Sequence, residues 1–269
     1  MAKPRIIRIS SQKGGVGKTT LTTNLSVAMA TLSSAKILVV DTDTTNPSVG
    51  FQMGFVEANI GFDDVVNKRA ELSSAVVVHM SSGVHVLPGT IRAKYTEALP
   101  ADATDFMKSL LATDYDFILM DTAPGFTQLT TENFIDEALI VTTPTMSSCT
   151  SSVRLGQVFD NHAIPHTLVV NRFKNKLFEI SMREVRALAG GAVLGPVPDN
   201  EDVEIAEAQH IPAYLLYARS DFSAAIRDIA LYTLERNGGL QKYGQKAPQE
   251  RESRRGGILG FIMRLFSRK

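Results

Sequence analysis

The sequence predicts an α/β fold with a doubly wound, mostly parallel β-sheet. Short, uniformly apolar runs recur along the chain, which is typical of parallel strands that helices cover on both faces. Stretches with helical periodicity separate these runs, as they do in successive βαβ units. A glycine-rich turn also joins the first run to the first helix, as in a phosphate-binding loop.

The individual elements follow from the same patterns in chain order. The first strand is predicted at residues 6–9 and the first helix at about Lys18–Leu32. Further strands are predicted at residues 36–40, 117–120, 138–142 and 168–170, with helices at about 150–161 and 178–189. Residues 76–80 and Val84–Leu87 flank a Ser-Gly pair, and they predict either an added hairpin or a further strand.

Composition narrows the class of protein. The 269 residues are 44% hydrophobic, which suits one large α/β domain over residues 1–237. A formal net charge of zero argues against a surface that coats nucleic acid broadly. The single cysteine, Cys149, excludes an internal disulfide and fits a reducing cytoplasm. No apolar run approaches the ~20 residues of a membrane-spanning helix, and the scattered histidines suggest no metal cluster.

The glycine-rich turn predicts a site for ATP and Mg²⁺. Its residues are Lys13, Gly14, Gly15, Val16, Gly17, Lys18, Thr19 and Thr20. The glycines let the backbone turn tightly around the phosphates, and their amides and the following helix N-terminus attract the anion. Lys18 is placed to reach the β- and γ-phosphates, while the Thr19 hydroxyl is placed to hold magnesium.

A second lysine gives this turn a specific resemblance. With Lys13 before the glycines, it resembles the deviant Walker A motif of the MinD/ParA family of ATPases, and motif order extends the resemblance over residues 5–237. The resemblance implies a P-loop NTPase fold of the SIMIBI type. It also implies an ATP-dependent homodimer in which Lys13 reaches the nucleotide of the other subunit, with residues 144–154 facing the partner. The alternative is that Lys13 is simply a basic residue near phosphate.

Acidic residues follow two of the predicted strands, at the sheet edge where ligands bind. Asp41 and Asp43 follow the second strand, and the resemblance implies that Asp43 orients the attacking water while Asp41 supports the outer shell of the metal. Both could instead cap a following helix. Asp121 resembles the residue that holds the water shell of magnesium, and Gly125 would offer its amide to the γ-phosphate.

Two later segments resemble the base-binding part of the family's site. Asn171 ends a predicted strand and resembles the residue that hydrogen-bonds adenine, while Arg172 is placed to stack on the base. Pro198 and Asp199 resemble the loop that closes over the base. The alternative for these residues is that they satisfy loop backbone.

The end of the chain is predicted to be a separate unit. Residues 238–257 predict a flexible polar linker, and residues 258–269 predict an amphipathic helix that is basic on one face. Its proposed membrane-facing side chains are Ile258, Leu259, Phe261, Ile262, Leu265 and Phe266. At about 15 Å the helix is too short to span a bilayer, and its basic residues suit anionic lipid. The tail resembles the membrane-targeting helix of MinD proteins, although a helix packed on the domain is the alternative.

These features together predict a MinD-like ATPase that dimerises on ATP, attaches to the membrane through its tail and is released on hydrolysis. The protein is expected to be cytoplasmic, to cycle to the inner face of the cell membrane, and to position the division site or another cellular structure. A regulatory or cargo protein is the expected partner, and slow, partner-stimulated turnover is implied by the resemblance.

Three other functions stay open from the sequence. A ParA-like partition ATPase would bind DNA, but the basic residues of 181–186 and 219–236 are mixed with acidic ones. A flagellum- or chemoreceptor-positioning relative would apply the same chemistry to another cargo. A metabolic ligase on the same fold would need a substrate pocket that no motif marks, and it leaves the tail unexplained.

Overall fold

The computed structural model describes residues 3–55, 58–90, 103–125 and 131–236. The strands are β1 (Arg5–Ser10), β2 (Ile37–Asp41), β3 (Val77–His79), β4 (Val84–Leu87), β5 (Phe117–Asp121), β6 (Glu137–Thr142), β7 (His166–Val170) and β8 (Val193–Leu194). The helices are α1 (Lys18–Leu32), α2 (Val49–Gln52), α3 (Phe62–Val66), α4 (Leu72–Ala75), α5 (Thr104–Leu111), α6 (Met146–Asn161), α7 (Met182–Ala189), α8 (Glu201–Ala208), α9 (Ala213–Leu216) and α10 (Asp221–Arg236). A 3-10 turn covers Glu132–Phe134.

The strands form an eight-stranded sheet in the order β3-β4-β2-β5-β1-β6-β7-β8. All neighbouring pairs are parallel except β3 and β4, which form an antiparallel hairpin at one edge. The predicted doubly wound, mostly parallel sheet is therefore confirmed, and so is the hairpin. Because β1 lies between β5 and β6, the glycine-rich turn after β1 emerges at the centre of the sheet.

Hydrophobic packing on both faces of the sheet explains the uniformly apolar strands. Ile7 and Ile9 contribute to the cluster on the face covered by α1 and α10, whereas Ile6 contributes to the cluster on the opposite face. Alternate residues of β1 thus enter different cores, as the two-residue period of a strand requires. Helix α1 lies between the sheet and α10, and most of its residues are buried.

Two predicted helix starts were wrong. The helix predicted at 150–161 begins earlier, at Met146, because the Thr145 side chain accepts a hydrogen bond from the Ser148 amide and caps it. The helix predicted at 178–189 begins later, at Met182, because Ser181 and Glu184 form a capping box. The predicted linker at 238–257 and tail helix at 258–269 lie outside the described residues, so the predicted domain limits stay a prediction.

Candidate nucleotide-binding site

The carboxyl ends of the central strands gather most of the sequence-predicted polar residues. Residues of the glycine-rich turn follow β1, Asp41 ends β2, Asp121 ends β5 and Asn171 follows β7. Asp41 and Asp121 are register partners on neighbouring strands. This edge is where parallel α/β sheets bind ligands, since the strand order reverses there.

The glycine-rich turn has the backbone that its sequence predicts. Gly15 and Gly17 have φ values of 72° and 89°, in the left-handed region that favours glycine. A Cβ on Gly17 would also lie only 2.3 Å from Nδ2 of Asn171, which donates a 2.9 Å hydrogen bond to the Val16 carbonyl. The turn is therefore fastened to the end of β7 at a position where only glycine fits without displacing that amide.

The N-terminus of α1 suits a phosphate group. Its N-cap is Gly17, which has no side chain that could cap the helix amides, and the first turn carries no acidic residue. Amide groups and the helix dipole are consequently available to an anion. Lys18 starts the helix with its side chain largely buried, and burial lowers the pKa of its ammonium, against the opposing influence of Asp121 and Asp43. An anionic ligand would stabilise the charged ammonium at this position.

A hydroxyl–carboxylate cluster beside Lys18 fits the binding of magnesium. The Thr19 hydroxyl donates to Oδ2 of Asp121 at 2.6 Å and accepts from the Ser48 hydroxyl at 3.1 Å, while Thr22 donates to the other Asp121 oxygen. Mg²⁺ prefers such oxygen ligands and usually keeps waters and substrate phosphates in its shell. Within the described residues no group of three or more His, Cys, Asp or Glu could hold a metal. Thr19 and Asp121 are the residues that would hold Mg²⁺.

The two carboxylates after β2 are used differently. Asp41 is fully buried, and its oxygens accept backbone amides of Asp43, Ser48 and Val49. Asp41 thus caps the start of α2, which is the alternative that the sequence left open. Burial, with the neighbouring Asp121, raises the pKa of Asp41 well above its ordinary value. Its predicted outer-shell contact with metal stays a prediction.

Asp43 is arranged so that one of its oxygens shapes the loop. Oδ1 accepts the amides of Thr45 and Asn46 at 3.1 and 2.9 Å, and both of these hydrogen bonds go to that oxygen alone. The carboxylate also acts electrostatically on Lys18 and Asp121. Asp43 therefore lies within the charged centre of the site, as a water-orienting residue requires, and that role stays a prediction.

Gly125 lies beside the glycine-rich turn in a left-handed conformation, with φ of 88°. Its amide donates a 2.7 Å hydrogen bond to the carbonyl of Ser11, which precedes the turn. The predicted contact of this amide with a γ-phosphate would require it to leave Ser11. This hydrogen bond joins the two loops, and the contact of Gly125 with a γ-phosphate stays a prediction.

A solvent-open pocket unites the residues predicted to bind the base. Its lining contains the predicted residues Thr20, Asn171, Arg172, Pro198 and Asp199, together with Asn200, Val203, Glu204, Glu207 and Phe222. The side-chain nitrogen of Asn171 donates a hydrogen bond to the Val16 carbonyl. For this atom the alternative reading applies, in which the residue satisfies loop backbone. The remaining amide oxygen and the exposed Arg172 are the groups that would meet a base.

Glu207, which was not predicted from the sequence, lines this pocket and accepts two hydrogen bonds there. Its Oε1 accepts hydrogen bonds from the Thr20 hydroxyl and from the Gln52 side-chain amide. Gln52 in turn accepts from Thr23 on α1, so α1, α2 and α8 meet through one carboxylate. Thr20 and Glu207 are 187 residues apart in sequence, and no local motif signals the contact.

Lys13 lies on the surface at the start of α6. Its ammonium donates to the Ser147 hydroxyl, which belongs to the segment that the family resemblance places at a dimer interface. Met146, which precedes Ser147 in the chain, is 54% exposed. The two features predicted to face another subunit are therefore adjacent in the folded chain.

The predicted membrane-facing residues lie outside the described residues, because they all fall within 258–269. None of the helices in residues 3–236, apart from the undescribed gaps, is both long and apolar enough to cross a membrane.

Comparison with known proteins places this site in a family. A family model described as an AAA domain matches residues 4–161, more than half of the chain. An uncharacterised ATP-binding protein of Methanocaldococcus jannaschii is 30% identical over 228 residues, covering 84% of this chain and 86% of that protein. The septum site-determining protein MinD of Bacillus subtilis is 29% identical over 247 residues, covering 87% and 91%.

A solved structure agrees with these relatives in fold. MinD of Pyrococcus horikoshii, in complex with Mg-ADP, superimposes with a TM-score of 0.81 at 28% identity, covering 87% of this chain and 98% of that one. We conclude that the chain belongs to the AAA-domain family matched at residues 4–161 and is a MinD-like member of the MinD/ParA family of P-loop ATPases.

Proposed function

We propose that this protein is a MinD-like positioning ATPase that dimerises on ATP, attaches to anionic membrane through residues 258–269 and is released when ATP is hydrolysed. ATP hydrolysis is the general activity that family membership implies. The relatives named as septum site-determining proteins support a role in positioning the division site or another cellular structure. The finer steps of the cycle are our inference from the residues.

The observation that carries the proposal is the position of Lys13. It belongs to the phosphate-binding loop in sequence, but its ammonium is exposed and contacts Ser147 on α6. A lysine there is available to phosphates held by a second subunit. A cation supplied in trans stabilises the charge that develops on the transferred phosphoryl group only after two subunits close.

The residues of one subunit would divide the chemistry as follows. Lys18 and the α1 amides hold and neutralise the phosphates, and Thr19 with Asp121 holds Mg²⁺, which when bound offsets negative charge on the phosphate oxygens. Asp43 orients the water that attacks the terminal phosphate. The products are ADP and inorganic phosphate. We further propose that turnover is slow and that a protein partner accelerates it.

Membrane attachment would follow from dimerisation through avidity. One short amphipathic helix binds lipid weakly, whereas two helices on one dimer raise the overall affinity by about 10²–10⁴. ATP would thus favour the membrane-bound dimer, and hydrolysis would favour the released monomer. The tail is the proposed anchor, and anionic lipid is its proposed ligand.

Light scattering with size-exclusion chromatography tests the dimer. Asp43→Ala should accumulate as an ATP-bound dimer, because its phosphate site is intact while water orientation is lost. Adding Lys13→Gln should reduce that dimer, whereas Lys3→Gln, which changes a surface lysine ion-paired to Asp136 at 3.9 Å, should not. A monomer under saturating ATP in the Asp43→Ala form would contradict the proposal.

Vesicle sedimentation tests the membrane step. Binding to vesicles that contain phosphatidylglycerol should be stronger with ATP than with ADP, and Ile262→Glu should greatly reduce the difference without changing ATPase activity in solution. Equal binding with the two nucleotides would refute the coupling. An ATP-dependent, salt-sensitive shift of DNA would point instead to the ParA-like function.

A further inference from the structure

Two neighbouring apolar side chains project from the loop between β7 and α7. Leu177 is fully exposed, at 108% of its reference area, and Phe178 is 74% exposed. Among the exposed large hydrophobic residues in the described part of the chain, these two are adjacent in sequence. Adjacent exposed apolar side chains indicate a binding surface more strongly than scattered single ones do. We call residues 172–180 the Leu177–Phe178 loop.

This loop is firmly attached to the domain. The Glu179 carboxylate accepts the backbone amides of Lys174 and Lys176 at 3.0–3.1 Å. The Ile180 amide donates to the carbonyl of Pro144, and the Ile180 side chain is buried. Hydrogen bonds within the loop and to Pro144 therefore fix the backbone on either side of Leu177 and Phe178, whose side chains project into solvent.

The surroundings of the apolar pair are positively charged. Residues 173–186 contain four basic residues (Lys174, Lys176, Arg183 and Arg186) and two acidic ones (Glu179 and Glu184), a net charge of +2 in a chain whose formal net charge is zero. Lys174 also pairs with Asp199 at 2.9 Å, which leaves a net charge of +1 when Asp199 is included. The patch thus combines projecting apolar groups with a local excess of cations.

We propose that the Leu177–Phe178 loop is a second membrane contact, which inserts these two side chains among anionic lipids. A bilayer interface accepts projecting apolar groups without a complementary groove, and its surface charge attracts the basic residues beside them. A second copy of the chain fits less well at this site, because a two-fold axis through the patch would bring like charges together. This inference rests on the proposed membrane association but uses a different surface from the tail.

The loop and the tail can meet the same surface. Arg236 lies near Glu137 and Thr167, at the start of β6 and β7, whereas the loop follows the opposite end of β7. A five-residue strand is about 17 Å long. The 21 residues from 237 to 257 could span at most about 70 Å, so they do not prevent the tail from reaching the same bilayer.

The test compares full-length variants in sedimentation with two kinds of vesicle, in saturating ATP. One kind contains phosphatidylglycerol with phosphatidylcholine, and the other is pure phosphatidylcholine. The double variant Leu177→Ser, Phe178→Ser preserves charge and should bind the anionic vesicles about a hundredfold more weakly, since two apolar side chains lose their insertion. Met80→Ser is the matched control, because Met80 is 89% exposed at the opposite edge of the sheet and should leave binding unchanged.

The same double variant in the Ile262→Glu background separates the two surfaces. We expect residual binding of Ile262→Glu to anionic vesicles, and its loss when the loop is also changed. Unaltered vesicle binding by the double variant would overturn the inference and direct attention to a protein ligand, while leaving the tail proposal intact. Loss of the ATP-dependent dimer would overturn it as well, because the loop would then be a self-interface. Full binding by Ile262→Glu with loss in the double variant would refute the tail and support the loop.

Discussion

Replacing Gly17 by alanine tests how the phosphate-binding loop is held to the sheet. Gly17 has φ of 89°, and a Cβ there would lie 2.3 Å from Nδ2 of Asn171. Gly15 offers a matched control in the same loop, because its φ is 72° but a Cβ would have no neighbour within 4 Å. Gly15→Ala therefore introduces backbone strain alone, whereas Gly17→Ala adds a steric conflict.

The magnitudes follow from these geometries. An alanine in the left-handed region costs about 1–2 kcal/mol at either position. At Gly17 the Asn171 amide must also move, which breaks its 2.9 Å hydrogen bond to the Val16 carbonyl and costs about 1 kcal/mol more. We expect Gly17→Ala to lower the free energy of unfolding by about 2–3 kcal/mol, and Gly15→Ala by about 1–2 kcal/mol.

Urea unfolding of the nucleotide-free protein measures both costs, and a double-mutant cycle with Asn171→Ala isolates the contact. Asn171→Ala alone removes the hydrogen bond, so the double variant should be no less stable than Gly17→Ala. The two changes should therefore fall short of additivity by about 1 kcal/mol. Strict additivity, or equal destabilisation by the two glycine substitutions, would refute the proposed link between the loop and β7.

Three other substitutions probe the charges and caps. Burial raises the pKa of Asp121 to about 6 from an ordinary 3.8, so the folded state holds this proton more tightly than the unfolded state. Stability without ligand should then fall by up to about 3 kcal/mol as pH rises from about 4 to 6, and Asp121→Asn should reduce this pH dependence of the urea midpoint, leaving the part that the raised pKa of the buried Asp41 contributes. Arg236→Ala should destabilise the fold by about 1–2 kcal/mol in urea, because it removes a partly exposed cation 3.4 Å from the buried carboxylate of Glu137. Ser181→Ala should cost about 1 kcal/mol in the same assay, because it breaks the capping box with Glu184.

The sequence predicts the central strands well because burial on both faces demands uninterrupted apolar residues. The strands β1, β2, β5, β6 and β7 all lie within one or two residues of their predicted ends. Shorter or half-exposed elements escape the same reasoning. Strand β8 has only two residues, both partly buried, and it joins the sheet through β7 without an apolar run of its own.

The error at the start of α7 has a specific physical source. Phe178 extends the helical pattern backwards from Met182, so periodicity alone assigns it to the helix, which was predicted to begin at about residue 178. In the structure the Glu179 carboxylate binds backbone amides of the preceding loop, and Ser181 starts the helix. Phe178 is exposed, although it continues the helical pattern. Periodicity alone cannot distinguish an exposed apolar residue in a loop from a core-facing residue of a helix.

Within the site, residues close together in sequence could be predicted, whereas contacts between residues far apart in sequence could not. The phosphate-binding loop is contiguous, so its glycines, Lys18 and Thr19 are recognisable together. Its supports are remote, since Glu207 and Ser147 lie 187 and 134 residues from the residues they contact. Only the folded sheet brings these supports to the loop.

The two aspartates after β2 show how a structure can separate alternatives that sequence cannot. Either residue is suited to cap a helix or to serve a metal and water, and the spacing alone favours neither. Asp41 engages both of its oxygens with backbone amides and is buried, so holding α2 against the sheet accounts for its chemistry in this structure. Asp43 directs its two backbone hydrogen bonds to Oδ1, which leaves Oδ2 as the oxygen able to orient water without unravelling the loop. The loop contacts of Asp43 are therefore compatible with the predicted water-orienting role, because that role would need only the other oxygen of the carboxylate.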